Sequence, residues 1–182
     1  MTRLPGRALL AAALLCLPLS LPARADTVVV VQTNPTPRVY ESPRWGLGVV
    51  LGTPTGITAK RYLGRNAFDL YLGGAYGPGL RFGADYLWGI AQLGNTPSVN
   101  VDFYIGAGAF VGALRGPCTG FSNWQGTCNG DGYVGGRMPF GLELVFKTAP
   151  ISVGLEIAPG IAFAPDRYGF LFDANLALRV LL

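Results

Sequence analysis

Any chemistry in this chain would have to come from acids, guanidinium groups and cysteines, because its 182 residues include no histidine. Ten charged residues fall within otherwise apolar or glycine-rich stretches: Lys60, Asp69, Arg81, Asp85, Asp102, Arg137, Glu143, Glu156, Asp173 and Arg179. In a narrow space such groups do one of two things. They neutralise one another as fixed salt bridges, or, where carboxylates crowd, they hold a proton or a cation that keeps like charges apart. Cys118 and Cys128 lie in RGPCTGFSNWQGTCNGDG together with Phe121 and Trp124. In an oxidising compartment a bridge between them closes about 11 residues, worth roughly 3 kcal/mol in the chain-entropy account. The loop is then either a stapled turn or a stiffened knob that offers Phe121 and Trp124 to a partner.

Strand alternation is what would position the ten charges. In SVNVDFYIGAGAFVGALR, residues 98–115, one face carries Val99, Val101, Phe103, Ile105, Ala107, Ala109, Val111 and Ala113. The other carries Asn100, Asp102, Tyr104, Gly106, Gly108, Phe110, Gly112 and Leu114, which is the two-faced period of a β-strand. Seven more stretches alternate in this way: residues 45–51, 55–63, 67–76, 80–90, 133–147, 151–163 and 169–182. Gly52-Thr53-Pro54, Gly64-Arg65-Asn66 and Gly77-Pro78-Gly79 read as tight turns, as do residues 94–97 and 148–150, and residues 116–132 as the one long loop. Mirroring the strands about these turns sets Asp85 beside Asp69 on one side and beside Asp102 on the other, with Lys60 one strand away.

Composition decides which face is outside. Charged residues make up 13% of the chain, against roughly 25% in soluble domains, so a water-facing polar side would be too poor in charge. With the apolar face outward, the chain reads as all-β: an eight-stranded antiparallel up-and-down transmembrane β-barrel with a small filled lumen. Trp45, Trp88 and Phe146 then gather at one edge as an aromatic girdle. Residues 1–25 carry Arg3 and Arg7, an apolar run over residues 8–19, and Ala23-Arg24-Ala25, the pattern of a cleaved signal peptide. The run falls short of the ~20 residues a membrane helix needs. Cleavage removes Arg3, Arg7 and Arg24, so the formal charge drops from +4 to +1, which leaves no basic patch for nucleic acid. Residues 26–43, with TVVVVQ and then Pro35, Pro37 and Pro43, read as a periplasmic lead-in, and residues 44–182 as the barrel.

Catalysis is not expected. Ser42, Ser98, Ser122 and Ser152 have no neighbouring base to activate them, and no ligand spacing fits a metal site or cofactor. The segments WGLGVVLGTPTGITAKRYL, AFDLYLGGAYG and LRFGADYLW resemble a family of small uncharacterised bacterial outer-membrane β-barrels, similar to the OmpA-type eight-stranded membrane domain. Pro54 to Gly56 and Ala84 to Trp88 carry the likeness. The resemblance implies assembly by the outer-membrane insertion machinery and no enzyme activity. Such barrels end in an aromatic residue, where this chain has Leu182. The expected role is structural or surface-interacting in the bacterial outer membrane, with lipid and lipopolysaccharide around it and the stapled loop as the contact for an extracellular protein partner. A small transport or lipid-binding barrel is the alternative, and a soluble calycin-like binding barrel fits the composition least.

Overall fold

The computed structural model describes residues 44–75, 79–114, 132–165 and 167–182. The expected leader and lead-in, and the loop with Cys118, Phe121, Trp124 and Cys128, lie outside the described residues. Within them the structure is all-β: β1 (Trp45–Gly52), β2 (Thr55–Leu63), β3 (Asn66–Gly74), β4 (Gly79–Asn95), β5 (Val99–Leu114), β6 (Gly132–Arg137), β7 (Phe140–Phe146), β8 (Ile151–Ala164) and β9 (Arg167–Leu181). All pairings are antiparallel, and neighbours follow chain order. β6 and β7 both pair with β5 and β8, end to end, so nine strands occupy eight places in a ring closed by β4 against β5.

The register accounts for the closure. From Val49, partner leads to partner through Ile57, Leu72, Phe82, Val111, Val134, Phe163 and Tyr168. The next step meets the line of β1 ten positions beyond the start. Ten residues of stagger over eight strands tilt them by roughly 40°, given about 3.3 Å per residue and about 4.8 Å between strands. An even stagger also keeps one set of side chains outside all the way round, because an odd one would exchange the faces at the seam. The outer face carries Leu155 at 56% exposure and Phe172 at 60%, while Lys60 and Arg81 on the inner face are 2% and 0% exposed. This inverts the usual arrangement of a protein in water.

Turn chemistry matches the reversals. Gly52 at φ +117° and Gly64 at φ +64° take the left-handed conformation that glycine adopts without a steric penalty, and Thr55 Oγ1 closes the first turn by donating to Gly52 O at 2.6 Å.

Three sequence expectations are corrected. The strand expected over residues 133–147 is interrupted at Met138 and Pro139, since a proline nitrogen cannot donate to the ladder. Pairing continues around the gap through Met138 N to Pro159 O and Gly106 N to Pro139 O, at 2.9 and 2.8 Å. β4 does not stop at residue 90 but runs to Asn95, so the turn shrinks to three residues capped by Thr96. Irregularities between Gly89 and Ala91, and between Gln92 and Gly94, then shift the β4–β5 register. Asp85 therefore faces Gly108, and Asp102 faces Gln92 and Glu143, so the expected side-by-side placement of Asp85 and Asp102 does not occur. Asp69 does face Asp85.

Candidate functional site

All ten charged residues singled out from the sequence are buried in the interior of the ring. What lets them meet is a set of glycines. In five rows of paired residues a glycine stands between two inward side chains, at least one of them long: Thr58–Gly48–Arg179, Tyr71–Gly83–Phe110, Arg81–Gly112–Tyr133, Asp85–Gly108–Arg137 and Tyr104–Gly141–Glu156. Residues two strands apart reach each other over the missing side chain. Tyr104 lies across Gly141 and donates to Glu156 Oε2 at 2.9 Å, and Asp85 crosses Gly108 to meet Arg137.

This arrangement makes a direct prediction. A β-carbon at Gly141 collides with the Tyr104 ring. Gly141→Ala is therefore expected to cost about 1–3 kcal/mol, the range for overpacking, in the unfolding free energy measured in urea. The penalty is expected to shrink when Tyr104 is shortened in the same molecule, which a double-mutant cycle measures.

The network has two linked centres. In the first, Arg137 grips Asp85 bidentately, through Nε to Oδ1 at 3.1 Å and Nη2 to Oδ2. It also pairs with Asp173 Oδ2 at 3.2 Å and Glu156 Oε1 at 3.3 Å. Its guanidinium carbon lies 4.2 Å from the Tyr71 ring centre, a distance at which a desolvated cation–π contact adds to the ion pairs. Arg81 reaches the same Asp173 oxygen at 2.5 Å and sits 5.0 Å from the Phe110 ring centre.

The second centre surrounds Glu143. Lys60 Nζ donates to its Oε2 at 2.8 Å and Tyr62 OH to its Oε1 at 2.5 Å, and Arg179 Nη1 stands 3.9 Å from Oε1. Arg179 Nη2 pairs with Asp69 Oδ2 at 2.5 Å, and Thr58 Oγ1 donates to Asp69 Oδ1 at 2.7 Å. Lys60 Nζ also lies 4.5 Å from the Tyr104 ring centre. Glu156, which accepts from Tyr104 and from Asn175 Nδ2, joins the two centres through Arg137.

Two small cavities lie against these side chains among the described residues. A cavity of about 10 Å³ lies against Lys60, Tyr62, Tyr104 and Glu143, and another of about 10 Å³ against Thr58, Asp69, Arg137 and Arg179. Such a space is at the lower limit for a single water molecule. Six buried carboxylates face four buried cations, a formal excess of two negative charges among the buried side chains of the described residues. Among the described residues no three acidic side chains converge as metal ligands do.

A comparison with family models, curated proteins and solved structures finds no match. The site therefore stands on its own geometry. The sequence singles out the charges and sets Tyr104 and Gly108 on their face, but gives no sign that tyrosines and glycine spacers complete the network. Tyr62, Tyr71, Tyr104 and Tyr133 alternate inward like the charges, but which glycine each one crosses cannot be seen before the register is known.

Proposed function

We propose that the chain is an eight-stranded transmembrane β-barrel of the bacterial outer membrane, with residues 1–25 as its cleaved leader. Its role is structural or surface-interacting rather than catalytic. The observation that carries this reading is the inversion of faces. Large apolar side chains such as Leu47, Ile57, Phe82, Leu155, Phe172 and Leu178 are exposed all the way round a closed ring, while ten charged side chains fill its inside. Lipid solvates such a surface, and a closed ring leaves no unpaired edge to the hydrocarbon where its strands overlap. The resemblance of residues 45–63, 67–77 and 80–88 to small outer-membrane barrels supports the same location, and insertion by the outer-membrane machinery follows from it. The loop holding Cys118, Phe121, Trp124 and Cys128 is the candidate contact surface for lipopolysaccharide or a protein partner.

The packed interior favours a sealed barrel over a transporter. Purified protein in planar lipid bilayers is expected to give no large steady single-channel current. A stable conductance of porin type would sink the sealed reading. The surplus of two carboxylates favours one alternative, a small transport barrel that carries protons or cations through its interior, and the same recordings under a pH or salt gradient would detect it.

A further inference from the structure

The charges that remain outside the ring form a pattern of their own. Every described acidic side chain, Asp69, Asp85, Asp102, Glu143, Glu156 and Asp173, is buried inside. The exposed charged side chains among the described residues are all cations: Arg44, Arg61, Arg65 and Lys147. All four lie at the same end of the ring, where β1 begins and β9 finishes, whereas the half-buried Arg167 opens β9 at the other end. Arg61 pairs with Trp45 at the foot of β1, Arg44 O accepts from Tyr62 N, Arg65 occupies the β2–β3 turn, and Lys147 follows β7.

Their partners among the described residues are neutral. Arg65 donates through Nε to Gly89 O and through Nη2 to Ile90 O at 2.7 Å, and Lys147 Nζ donates to Asn95 Oδ1 at 2.6 Å. Arg61 is stacked over Trp45, its guanidinium carbon 5.5 Å from the ring centre. Hydrogen bonds to carbonyls and a π face orient these groups without cancelling their charge. Tyr86 and Trp88, ring centres 5.3 Å apart, add aromatic side chains on the same flank, where Asn66 beside the β2–β3 turn donates to Tyr86 OH at 2.9 Å. Amphipathic rings beside cations are the composition of a segment held at the headgroup level of a bilayer.

We propose that this rim is a binding surface for the phosphate headgroups of anionic phospholipids in the leaflet it occupies. The proposal rests on the membrane reading and extends it by naming a lipid class. Cations near an anionic membrane surface each strengthen attraction by roughly fivefold in affinity, and salt screens the effect. No acidic side chain among the described residues is exposed at this rim to compete with a headgroup.

The test uses the tryptophans as reporters. Full-length mature protein is refolded into bilayers containing phosphatidylcholine or phosphatidylglycerol with brominated chains, and quenching of tryptophan fluorescence is measured. At low salt the brominated phosphatidylglycerol is expected to quench several-fold more effectively than the brominated phosphatidylcholine. The preference is expected to vanish in about 0.5 M NaCl and in the triple variant Arg44→Gln, Arg61→Gln, Lys147→Gln, which leaves Arg65 on its β4 carbonyls. Equal quenching by the two lipids at low salt, or a preference that survives salt or the triple variant, overturns the proposal and leaves the membrane reading standing. Quenching by neither lipid overturns both. Where the variant does not refold, the salt series on the unaltered protein decides.

Discussion

Arg137→Ala is expected to destabilise the folded protein by about 3–5 kcal/mol, the cost of breaking a buried ion pair and leaving its partner charges without compensation. Arg137 is the residue for this test because it contacts Asp85, Asp173 and Glu156 at once and stacks on Tyr71. Its loss takes the cation from Asp85 and Glu156 and leaves Asp173 with Arg81. Urea unfolding of the refolded protein in detergent or lipid measures the change as a lower midpoint with an unchanged slope. Arg137→Met combined with Asp85→Asn is expected to cost less than the two single changes together, with a coupling of about 0.5–3 kcal/mol. A loss below about 1 kcal/mol for Arg137→Ala would mean that the interior is a wet channel in which exposed ion pairs are worth little.

The second large effect separates lipid from water outside the ring. Leu155 lies mid-strand in β8 between Leu142 on β7 and Leu176 on β9, with 56% of its surface exposed. Were that surface wet, Leu155→Arg would alter stability by no more than about 0.5 kcal/mol. In a bilayer, an arginine on the lipid face at the midplane costs about 2–4 kcal/mol. The expected outcome is the larger penalty together with a reduced yield of membrane-inserted protein, measured by refolding into vesicles. A Leu155→Arg variant as stable as the original protein would contradict the membrane reading.

Period-two alternation was enough to sort the two faces, and the scarcity of charge set which one is inside. Lys60, Asp69, Arg179 and the other seven charges fall at inward positions from the sequence alone, because a side chain's face depends only on parity along its own strand. Pairing between strands depends on much more. Placing Asp85 beside Asp102 failed because hairpin mirroring carries every error at the turn along the whole ladder. The continuation of β4 to Asn95 carried the mirror line toward Thr96 and the partner of Asp85 away from Asp102, and two irregularities near Gly89 and Gln92 recovered only two positions, which left Asp85 opposite Gly108. Pro139 left its mark in the sequence as a residue unable to donate, but apolar alternation on both sides of it gave no sign of a break. The glycine spacers were visible only as small residues on a polar face. That Gly108 separates Asp85 from Arg137, and Gly141 separates Tyr104 from Glu156, depends on three strands being in register together.

The most direct measurement is where the processed protein resides and how it migrates. Membranes from expressing cells are expected to retain it after an alkaline carbonate wash. The unheated sample is expected to run on a denaturing gel at a position different from the boiled one, because a closed ring of paired strands resists detergent until heated. Recovery of the same polypeptide as a stable monomer in buffer without detergent, with no change in migration on boiling, would contradict the membrane reading.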